Sequence, residues 1–361
     1  MPGFRYNNVC LVSMGYTIPS EIVSSAEIEA QLSPIYERLR LPAGRLELMT
    51  GIRERRFWRE GWRPSQASIL SCQAALEAAD FDRRHVGCLV HGSVCRDFLE
   101  PATASGVHHG VGLDPHCLIY DVSNACLGVL NGMLHIANMI ELGQIQAGLV
   151  VGSEGGRQLV ENTIKYLNND TSITRKSIKP AVASLTIGSA SCGVLLAHRS
   201  ISQHHPRLTH ANVMANTAYH HLCQSDQDQA GSNMAPLMDT DSELLLQQGV
   251  LTGKQNFASF LANTGWRTDD IHHTICHQVG VAHQRLMLEA LDLDLQRDFV
   301  TYPWLGNTGS AALPVTLAVA AEQGFLNEGA NTALLGIGSG INCVSIALEW
   351  KPIAVRGQVI D

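Results

Sequence analysis

The sequence has little of what marks the more specialised classes of protein. Charged residues make up only 16% and aromatic residues 6% of its 361 positions. The formal net charge of −8 provides no basic field for binding nucleic acid, so nucleic acid is not expected as a partner. No apolar run is long enough to span a membrane, and the opening residues MPGFRYNNVC lack the charged flank and apolar core of a signal peptide. We therefore expect a cytoplasmic protein.

The cysteines and histidines also lack the spacings that would indicate a cross-linked or metal-binding protein. The ten cysteines contain no CxxC pair, which is typical of reduced thiols rather than of a disulfide framework. Four adjacent histidine pairs occur, but neighbouring residues of a helix or strand point in different directions, and no HExxH or zinc-type spacing is present. We expect no metal site and expect most cysteines to be inert core residues.

The apolar pattern is that of an α/β protein, because segments rich in Val, Ile and Leu alternate with helical patterns. In the first half we predict a buried strand at 117–122, a helix at 126–142 and the next strand at 147–154, with Gly143 marking the helix end. The predicted helix is apolar on nearly every face. A helix of that kind belongs inside a protein rather than on its surface.

The second half repeats this rhythm after a polar region at about 199–243, which we interpret as a connection or a loop-rich insertion. The later predicted elements are a helix at 254–264, a strand at 273–278, a helix at 280–291, a strand at 299–303, a helix at 309–323 and strands at 332–338 and 342–350. No residue-level repeat relates the two parts. The similar rhythm nevertheless predicts a duplicated architecture, with an N-terminal half at 1–198 and a C-terminal half at 199–361.

Cys126 is placed where a nucleophile could act. It follows one predicted strand and opens the predicted buried helix, where the partial positive charge of a helix N-terminus favours a thiolate. Gly128 and Gly132 keep the first turns of that helix slim, so another backbone or a ligand could come close. Taken alone, Cys126 is more simply interpreted as a buried structural cysteine. A catalytic role requires partners.

His277 and Asn307 are the candidate partners. Each lies just after a predicted strand and just before a predicted helix, at the sheet edge where open α/β proteins gather their active sites. Each also has a simpler explanation, a buried core histidine for His277 and a helix cap for Asn307. Together with Cys126, however, they form a set that can activate a thiol and donate hydrogen bonds to developing negative charge.

Four segments that contain these residues together resemble the thiolase superfamily, and specifically its ketoacyl-ACP synthase III branch. They are DVSNACLGVLNG (121–132), HQVGVAHQ (277–284), GNTGSAALP (306–314) and GIGSGINC (336–343). A fifth segment, GIRERRFW (51–58), is similar to the GIRxRR signature of that branch. The matches run in family order along nearly the whole chain.

The resemblance implies a five-layered αβαβα thiolase fold built from two related halves, usually a homodimer, and Claisen condensation of thioesters. Cys126 would carry the acyl group, and His277 and Asn307 would stabilise the enolate of a second thioester. The backbone N–H groups of Cys126 and Ser339 would form the oxyanion hole, with Ser339 standing where many relatives have glycine. Coenzyme A thioesters would be the substrates, with no further cofactor.

The segment VCRDFLEPATA (94–104) indicates which condensation to expect. An enzyme that joins two ordinary acyl-CoAs must remove an α-proton and therefore needs a base. Glu100 lies in a predicted loop, and this segment resembles that of OleA-type enzymes, which join two fatty acyl-CoAs head to head in olefin biosynthesis. The resemblance implies that Glu100 enters the partner subunit's active site as the base, and that enzymes downstream in such a pathway are further partners. By composition alone, Glu100 would be a solvated loop carboxylate.

Other readings stay open at this point. The protein could be an initiating synthase that decarboxylates malonyl-ACP, a thiolase-fold scaffold, or a cysteine hydrolase that releases free acid. The CoA contacts are also undecided, because RLELMTGIR places Leu46 and Met49 near positions where initiating synthases carry tryptophan and arginine. Arg45 and Arg53 are candidates to hold CoA. The GIRERR charges could equally form a solvated face or an ion-pair network.

Overall fold

The structure is a computed structural model that describes residues 3–225 and 237–361. Within these ranges the strands are β1 (Phe4–Arg5), β2 (Val9–Pro19), β3 (Glu21–Ser24), β4 (Glu54–Phe57), β5 (Val86–His91), β6 (Leu118–Asp121), β7 (Ala147–Glu154), β8 (Ala190–His198), β9 (Arg207–Ala215), β10 (Cys223–Ser225), β11 (Met238–Thr240), β12 (His273–Cys276), β13 (Asn331–Gly338), β14 (Asn342–Glu349) and β15 (Ala354–Ile360).

The α-helices are α1 (Ser25–Gln31), α2 (Ser33–Leu39), α3 (Arg45–Thr50), α4 (Pro64–Ala78), α5 (Thr103–Val111), α6 (Gly128–Glu141), α7 (Arg157–Asn169), α8 (Lys179–Val182), α9 (Ser242–Thr264), α10 (Val281–Ala290), α11 (Tyr302–Leu305) and α12 (Ala312–Glu322). Short 3₁₀ turns occur at Arg83–His85, Ser184–Thr186, Arg199–Ile201, Thr217–Leu222, Thr268–Asp270, Leu295–Arg297 and Gly309–Ala311.

Strand pairing divides the main sheet into two runs. One run has the order β2-β8-β7-β5-β6 and the other the order β9-β14-β13-β12. Between β2 and β9 the pairing is limited to one residue pair, Cys10 with Arg207. β15 adds to β2 in parallel, and β1 adds to β9. The runs are therefore two sheets that touch at a single point rather than one continuous surface.

The helices form three layers around these two sheets. α6 and α12 are largely apolar and share one buried cluster with residues of both runs, and His135 of α6 is exposed. α4 and α5 cover the opposite face of the first run, and α9 and α10 cover the opposite face of the second. In β13, for example, Leu334 joins the central cluster while Ala333 and Leu335 join the outer one, as the two-residue period of a strand requires. The result is the predicted five-layered αβαβα arrangement.

A satellite of short helices packs at the side of these layers. Helices α1, α2, α3 and α7 bury one apolar cluster together with β4. This satellite holds the GIRERR segment and lies beside the chain that carries Asn307, since Arg53 N–H donates to Pro303 O at 2.9 Å.

Several predicted elements agree closely with the structure. The strand predicted at 147–154 is β7, and the buried helix predicted at 126–142 is α6. The predicted strand at 299–303 is wrong, because residues from Tyr302 onward form α11, with Pro303 in its first turn where proline is tolerated.

The polar region at 199–243 is also not simply a connection, since it contains β9, a strand of the main sheet. β9 buries polar Thr209 and Asn212, which weakens the apolar alternation that would have revealed it. Residues 226–236 of that region lie outside the described residues.

Candidate active site

Cys126 lies in the turn between β6 and α6, not within the helix. The helix begins at Gly128, and Ala125 adopts a left-handed backbone with φ 46°. A non-glycine residue in this region is uncommon and marks a tight turn. The prediction that Cys126 opens the helix is therefore corrected by two residues. Its side chain is half-buried, whereas most of the other cysteines are fully buried, as expected.

Glycines allow three backbone segments to close around Cys126. A Cβ atom on Gly128 would lie 2.6 Å from the carbonyl carbon of Gly92, and one on Gly338 would lie 3.4 Å from the Cys126 nitrogen. A Cβ atom on Gly132 would meet a Val150 methyl at 2.5 Å. The close approach expected at Gly128 and Gly132 is thus confirmed. It brings the start of the 92–102 loop and the end of β13 against the nucleophile turn.

The environment of Cys126 favours the neutral thiol. Burial raises the pKa of the thiol to about 12, and negative charge on Glu154 and Cys223 adds to the effect. The raised pKa runs against the sequence-based expectation of a thiolate favoured by a helix N-terminus. Burial is the largest cause of the shift, and Cys126 precedes the first helical residue, Gly128, by two positions.

Two backbone N–H groups near this turn are the candidates for the expected oxyanion hole. Gly338, which contacts Cys126, is followed directly by Ser339 in the turn between β13 and β14. Within the described ranges, neither the Cys126 N–H nor the Ser339 N–H donates to a backbone carbonyl. An oxyanion hole requires N–H groups that the backbone does not already use.

His277 directly follows β12 and is buried, with its side chain 5% exposed. Its backbone N–H donates to Leu335 O of β13 at 3.0 Å, which connects it to the strand whose end reaches Cys126. Burial lowers the pKa of His277 to about 3, and the neighbouring His283 contributes. The ring is therefore neutral at physiological pH, so it can donate one hydrogen bond without carrying a charge.

Asn307 is held on both sides by the backbone. Its N–H donates to Thr186 O at 2.9 Å, and its carbonyl accepts from Gly188 N–H at 2.9 Å. The side-chain Oδ1 accepts from Gly309 N–H at 3.0 Å. That bond orients the amide, and among the contacts of the described residues its NH₂ group donates to no protein acceptor. Asn307 thus presents a donor, while its Oδ1 makes a capping-type contact with Gly309, the first residue of the 3₁₀ turn that leads into α12.

Glu154 is the site residue that sequence reasoning missed. It ends β7 and is buried, with 5% exposure. Its carboxylate accepts hydrogen bonds from Val94 and Cys95, which begin the 92–102 loop, and from Ser310, which follows Asn307. The signal available in the sequence was a glutamate at the end of the buried strand AGLVVGSE, because a charged residue is rarely buried without a partner.

Glu100 is not brought into the site of its own protomer. Its side chain is exposed in the 92–102 loop, and among the described residues it forms no ion pair. The loop is nevertheless well anchored. Glu154 holds its start, and Asp121 at the end of β6 accepts from the N–H groups of Thr103 and Ala104 at its far end, at 2.8 and 2.9 Å.

The GIRERR segment differs from the solvated face or ion-pair network considered above. Arg55 is completely buried, and its guanidinium donates to Leu185 O and Ser25 Oγ, both at 3.1 Å. Burial lowers its pKa to about 10, so it stays charged. Arg53 alone follows the surface interpretation, as an exposed pair with Glu54 at 3.5 Å. Arg55 therefore has a structural role beneath the Asn307 segment.

The two CoA candidates are on the satellite. Arg53 is exposed, and Arg45 is half-buried at the start of α3. Of the two residues near the positions of the missing tryptophan and arginine, Leu46 belongs to the buried satellite cluster and Met49 is exposed.

In the described ranges no three His, Cys, Asp or Glu side chains group as a metal site, and no helix there is long and apolar enough to cross a membrane.

Known proteins resemble this chain along almost its entire length. An acyl-CoA:acyl-CoA alkyltransferase of Shewanella oneidensis is 39% identical over 350 residues, which covers 96% of this chain and 100% of that protein. The chain belongs to the acyl-CoA:acyl-CoA alkyltransferase family.

Structural and more distant similarities agree with this alkyltransferase assignment. The crystal structure of cerulenin-bound OleA of Xanthomonas campestris matches with a TM-score of 0.91 at 30% identity, over 96% of this chain and 98% of that one. The predicted thiolase fold is thereby confirmed. Residues 261–350 match the family profile described as 3-oxoacyl-[acyl-carrier-protein] synthase III C terminal. A β-ketoacyl-[acyl-carrier-protein] synthase III of Pseudomonas aeruginosa is only 25% identical, over 94% of this chain and 96% of that protein.

Proposed function

We propose that this alkyltransferase catalyses the non-decarboxylative, head-to-head Claisen condensation of two fatty acyl-CoAs in the cytoplasm. The product would be a 2-alkyl-3-ketoacyl-CoA or, after hydrolysis, the β-keto acid, for long-chain olefin biosynthesis. The observation that carries this proposal is the exposed carboxylate of Glu100 on a loop whose start is anchored beside Cys126. A decarboxylating synthase has no use for such a base, because loss of CO₂ generates its carbanion.

Acylation comes first. The Cys126 sulfur attacks the thioester carbonyl of one acyl-CoA, the bond from that carbon to the CoA sulfur breaks, and the thiol proton leaves with CoA-SH. The N–H groups of Cys126 and Ser339 stabilise the tetrahedral oxyanion. Because the pKa of Cys126 is raised to about 12, the thiol loses its proton only as the acyl-CoA is attacked.

Condensation follows on the second acyl-CoA. Glu100 of one protomer removes an α-proton in the active site of its partner, and neutral His277 and Asn307 donate hydrogen bonds to the enolate oxygen. The α-carbon attacks the acyl-cysteine carbonyl, and the bond from that carbon to the Cys126 sulfur breaks. The leaving thiolate takes up one proton and Glu100 releases one, which restores both groups. A neutral imidazole suits this role, since it stabilises developing charge without protonating the enolate.

The face around Glu100 supports a homodimer. Val94, Phe98 and Leu99 of the 92–102 loop are 48%, 48% and 55% exposed, and Leu118 on the neighbouring strand β6 is 50% exposed. β6 is also the terminal strand of its sheet, so one side of it offers unpaired backbone groups. A contiguous apolar surface beside an open strand edge is typical of an interface between identical subunits.

We also infer that residues 1–198 and 199–361 are the two related halves. β2, β5, β6, β7 and β8 come from the first range, and β9, β12, β13 and β14 come from the second. Each range also contributes one helix to the central layer.

Incubation with a single long-chain acyl-CoA and no malonate tests the reaction. The expected result is a condensed product, with an acyl group on Cys126 detected by intact mass and absent from Cys126→Ala. Glu100→Gln should load the acyl group but not condense it. Strict dependence on malonyl-ACP would assign the protein to the initiating synthases, and release of free acid alone would make it a hydrolase.

Mixing two inactive variants tests the shared site. In a heterodimer of Glu100→Gln with Cys126→Ala, one site has an intact Cys126 and receives an intact Glu100 from its partner. Random exchange of subunits should therefore restore about a quarter of the wild-type rate. No restoration, with subunit exchange confirmed by mass spectrometry, would show that Glu100 does not act across the interface.

A further inference from the structure

Glu154 is a buried carboxylate whose hydrogen-bond donors come from two separate segments of the chain. Its Oε1 accepts from Val94 N–H at 2.9 Å and from Ser310 Oγ at 2.6 Å, with Ser310 N–H at 3.3 Å. Its Oε2 accepts from Cys95 N–H at 3.1 Å. None of the ion pairs in the described part of the chain includes it. The carboxylate is thus stabilised by hydrogen-bond donors and by no positively charged side chain. Burying a charge without an opposite charge beside it costs free energy.

The two segments it holds carry two different parts of the proposed machinery. Val94 and Cys95 begin the loop that presents Glu100. Ser310 lies three residues after Asn307, and a Cβ atom on the intervening Gly309 would lie 3.0 Å from Glu154 Cγ. The carboxylate therefore joins the base loop to the enolate-binding turn, and no other contact described above does so.

The same carboxylate faces the nucleophile. Burial is the main cause of the raised pKa of Cys126, and the negative charge of Glu154 is the next. Cys223 is the other titratable group that acts on the thiol. A change at Glu154 should therefore be visible at Cys126 itself, separately from any change in the two loops.

We propose that Glu154 is a positioning residue that sets the Asn307 turn of its own site and the start of the loop that presents Glu100 to the partner subunit's site. This inference rests on the proposed condensation. Glutamine at this position can accept at only one oxygen, and its NH₂ group would face a backbone donor, either the Cys95 N–H or the Val94 N–H. Aspartate keeps the charge but is one methylene shorter, so it cannot reach both segments.

The two substitutions are expected to separate the effect of the negative charge from the effect of the side-chain length. Glu154→Gln should lower the pH midpoint of Cys126 alkylation by iodoacetamide by about one unit, because one negative charge is removed from beside the thiol. The shift is measured as about tenfold faster alkylation at a fixed pH between 7 and 10, below the midpoint. Glu154→Asp should leave that midpoint unchanged. Both should slow condensation by about 100-fold through misplacement of the loops, while acyl loading of Cys126, read by intact mass, persists.

Glu141→Gln is the matched control. Glu141 also holds backbone N–H groups, those of Asn7 and Asn8 at 3.0 and 2.9 Å, but at the far end of α6. It should change neither the alkylation midpoint nor condensation. Wild-type enzyme assayed with acyl-CoA alone reports separately on the proposed function, since failure of that function would appear in the wild type.

Two results would overturn the assignment. One is condensation by Glu154→Gln within about twofold of wild type; the other is a parallel loss of loading and condensation in both variants, as a purely structural role predicts. If neither variant folds, Ser310→Ala decides, because it removes a single hydroxyl. The proposal requires it to load normally and condense slowly, and normal condensation would refute it.

Discussion

The contact between Gly128 and Gly92 should tolerate no side chain. A Cβ atom at Gly128 would lie 2.6 Å from both the carbonyl carbon and the oxygen of Gly92, whereas ordinary contact begins near 3.4 Å. The start of α6 and the start of the 92–102 loop would have to separate by about 0.8 Å, and neither atom belongs to a side chain that could rotate away. Overpacking of this kind costs about 1–3 kcal/mol, against about 1 kcal/mol gained by replacing glycine with alanine in a helix.

Gly128→Ala should therefore unfold at lower urea concentration and condense acyl-CoA about 100-fold more slowly, because the shift moves both Cys126 and the start of the loop that presents Glu100 to the partner subunit's site. Gly106→Ala is the matched control, since a Cβ atom there would meet only the Ser65 side chain, at 3.6 Å within α5. It should be neutral or more stable by up to about 1 kcal/mol. Urea unfolding and single-turnover condensation measure both effects. Equal stability and equal rates for the two variants would refute the steric argument.

Three further predictions follow from the burial of particular groups. Alkylation of Cys126 should rise about tenfold per pH unit from pH 7 to 10 without a plateau, since its pKa is about 12; a plateau near pH 8 would contradict this. Burial raises the pKa of Asp298 to about 6, above its unfolded value, so its native form binds the proton more tightly. Wild type should therefore gain up to about 3 kcal/mol of unfolding free energy over Asp298→Asn as the pH falls from 7 to 4, and lose that gain as the pH rises through 6. A difference in unfolding free energy between wild type and Asp298→Asn that does not change with pH would contradict this prediction. Leu130→Ala in the central layer should cost about 3 kcal/mol, and Leu142→Ala, which is 73% exposed at the end of the same helix, less than about 0.5 kcal/mol; equal costs in urea unfolding would rule out a buried central α6.

The positions of the active-site candidates could be predicted because they depend on the pattern of neighbouring residues in the sequence. Cys126, His277 and Asn307 each follow an apolar segment and precede a helical one, and that order survives in the structure. The central position of α6 was also predictable, since a helix that is apolar on nearly every face belongs inside a protein.

Other features were hidden because they depend on atoms far apart in the chain. β9 buries polar residues whose partners come from other elements, as when Asn263 Nδ2 donates to Asn212 Oδ1 at 2.6 Å. In the sequence GIRERR, Arg55 is most simply interpreted as a surface charge. In the structure it is buried, and its guanidinium donates to the carbonyl oxygen of Leu185 from a distant part of the chain. Neither neighbour can be found by inspecting a window of sequence.

The sequence by itself determined the α/β alternation around the candidate site, the central helix and the positions of the candidate nucleophile, its candidate partners and the candidate base. These follow from hydrophobic periodicity and from short segments whose residues are adjacent in the chain. Only the tertiary structure decided the ionisation of Cys126 and the link from Glu154 to both the Glu100 loop and the Asn307 turn. A pKa is determined by desolvation and by charges in space, and the carboxylate that acts on Cys126 comes from the end of the next strand.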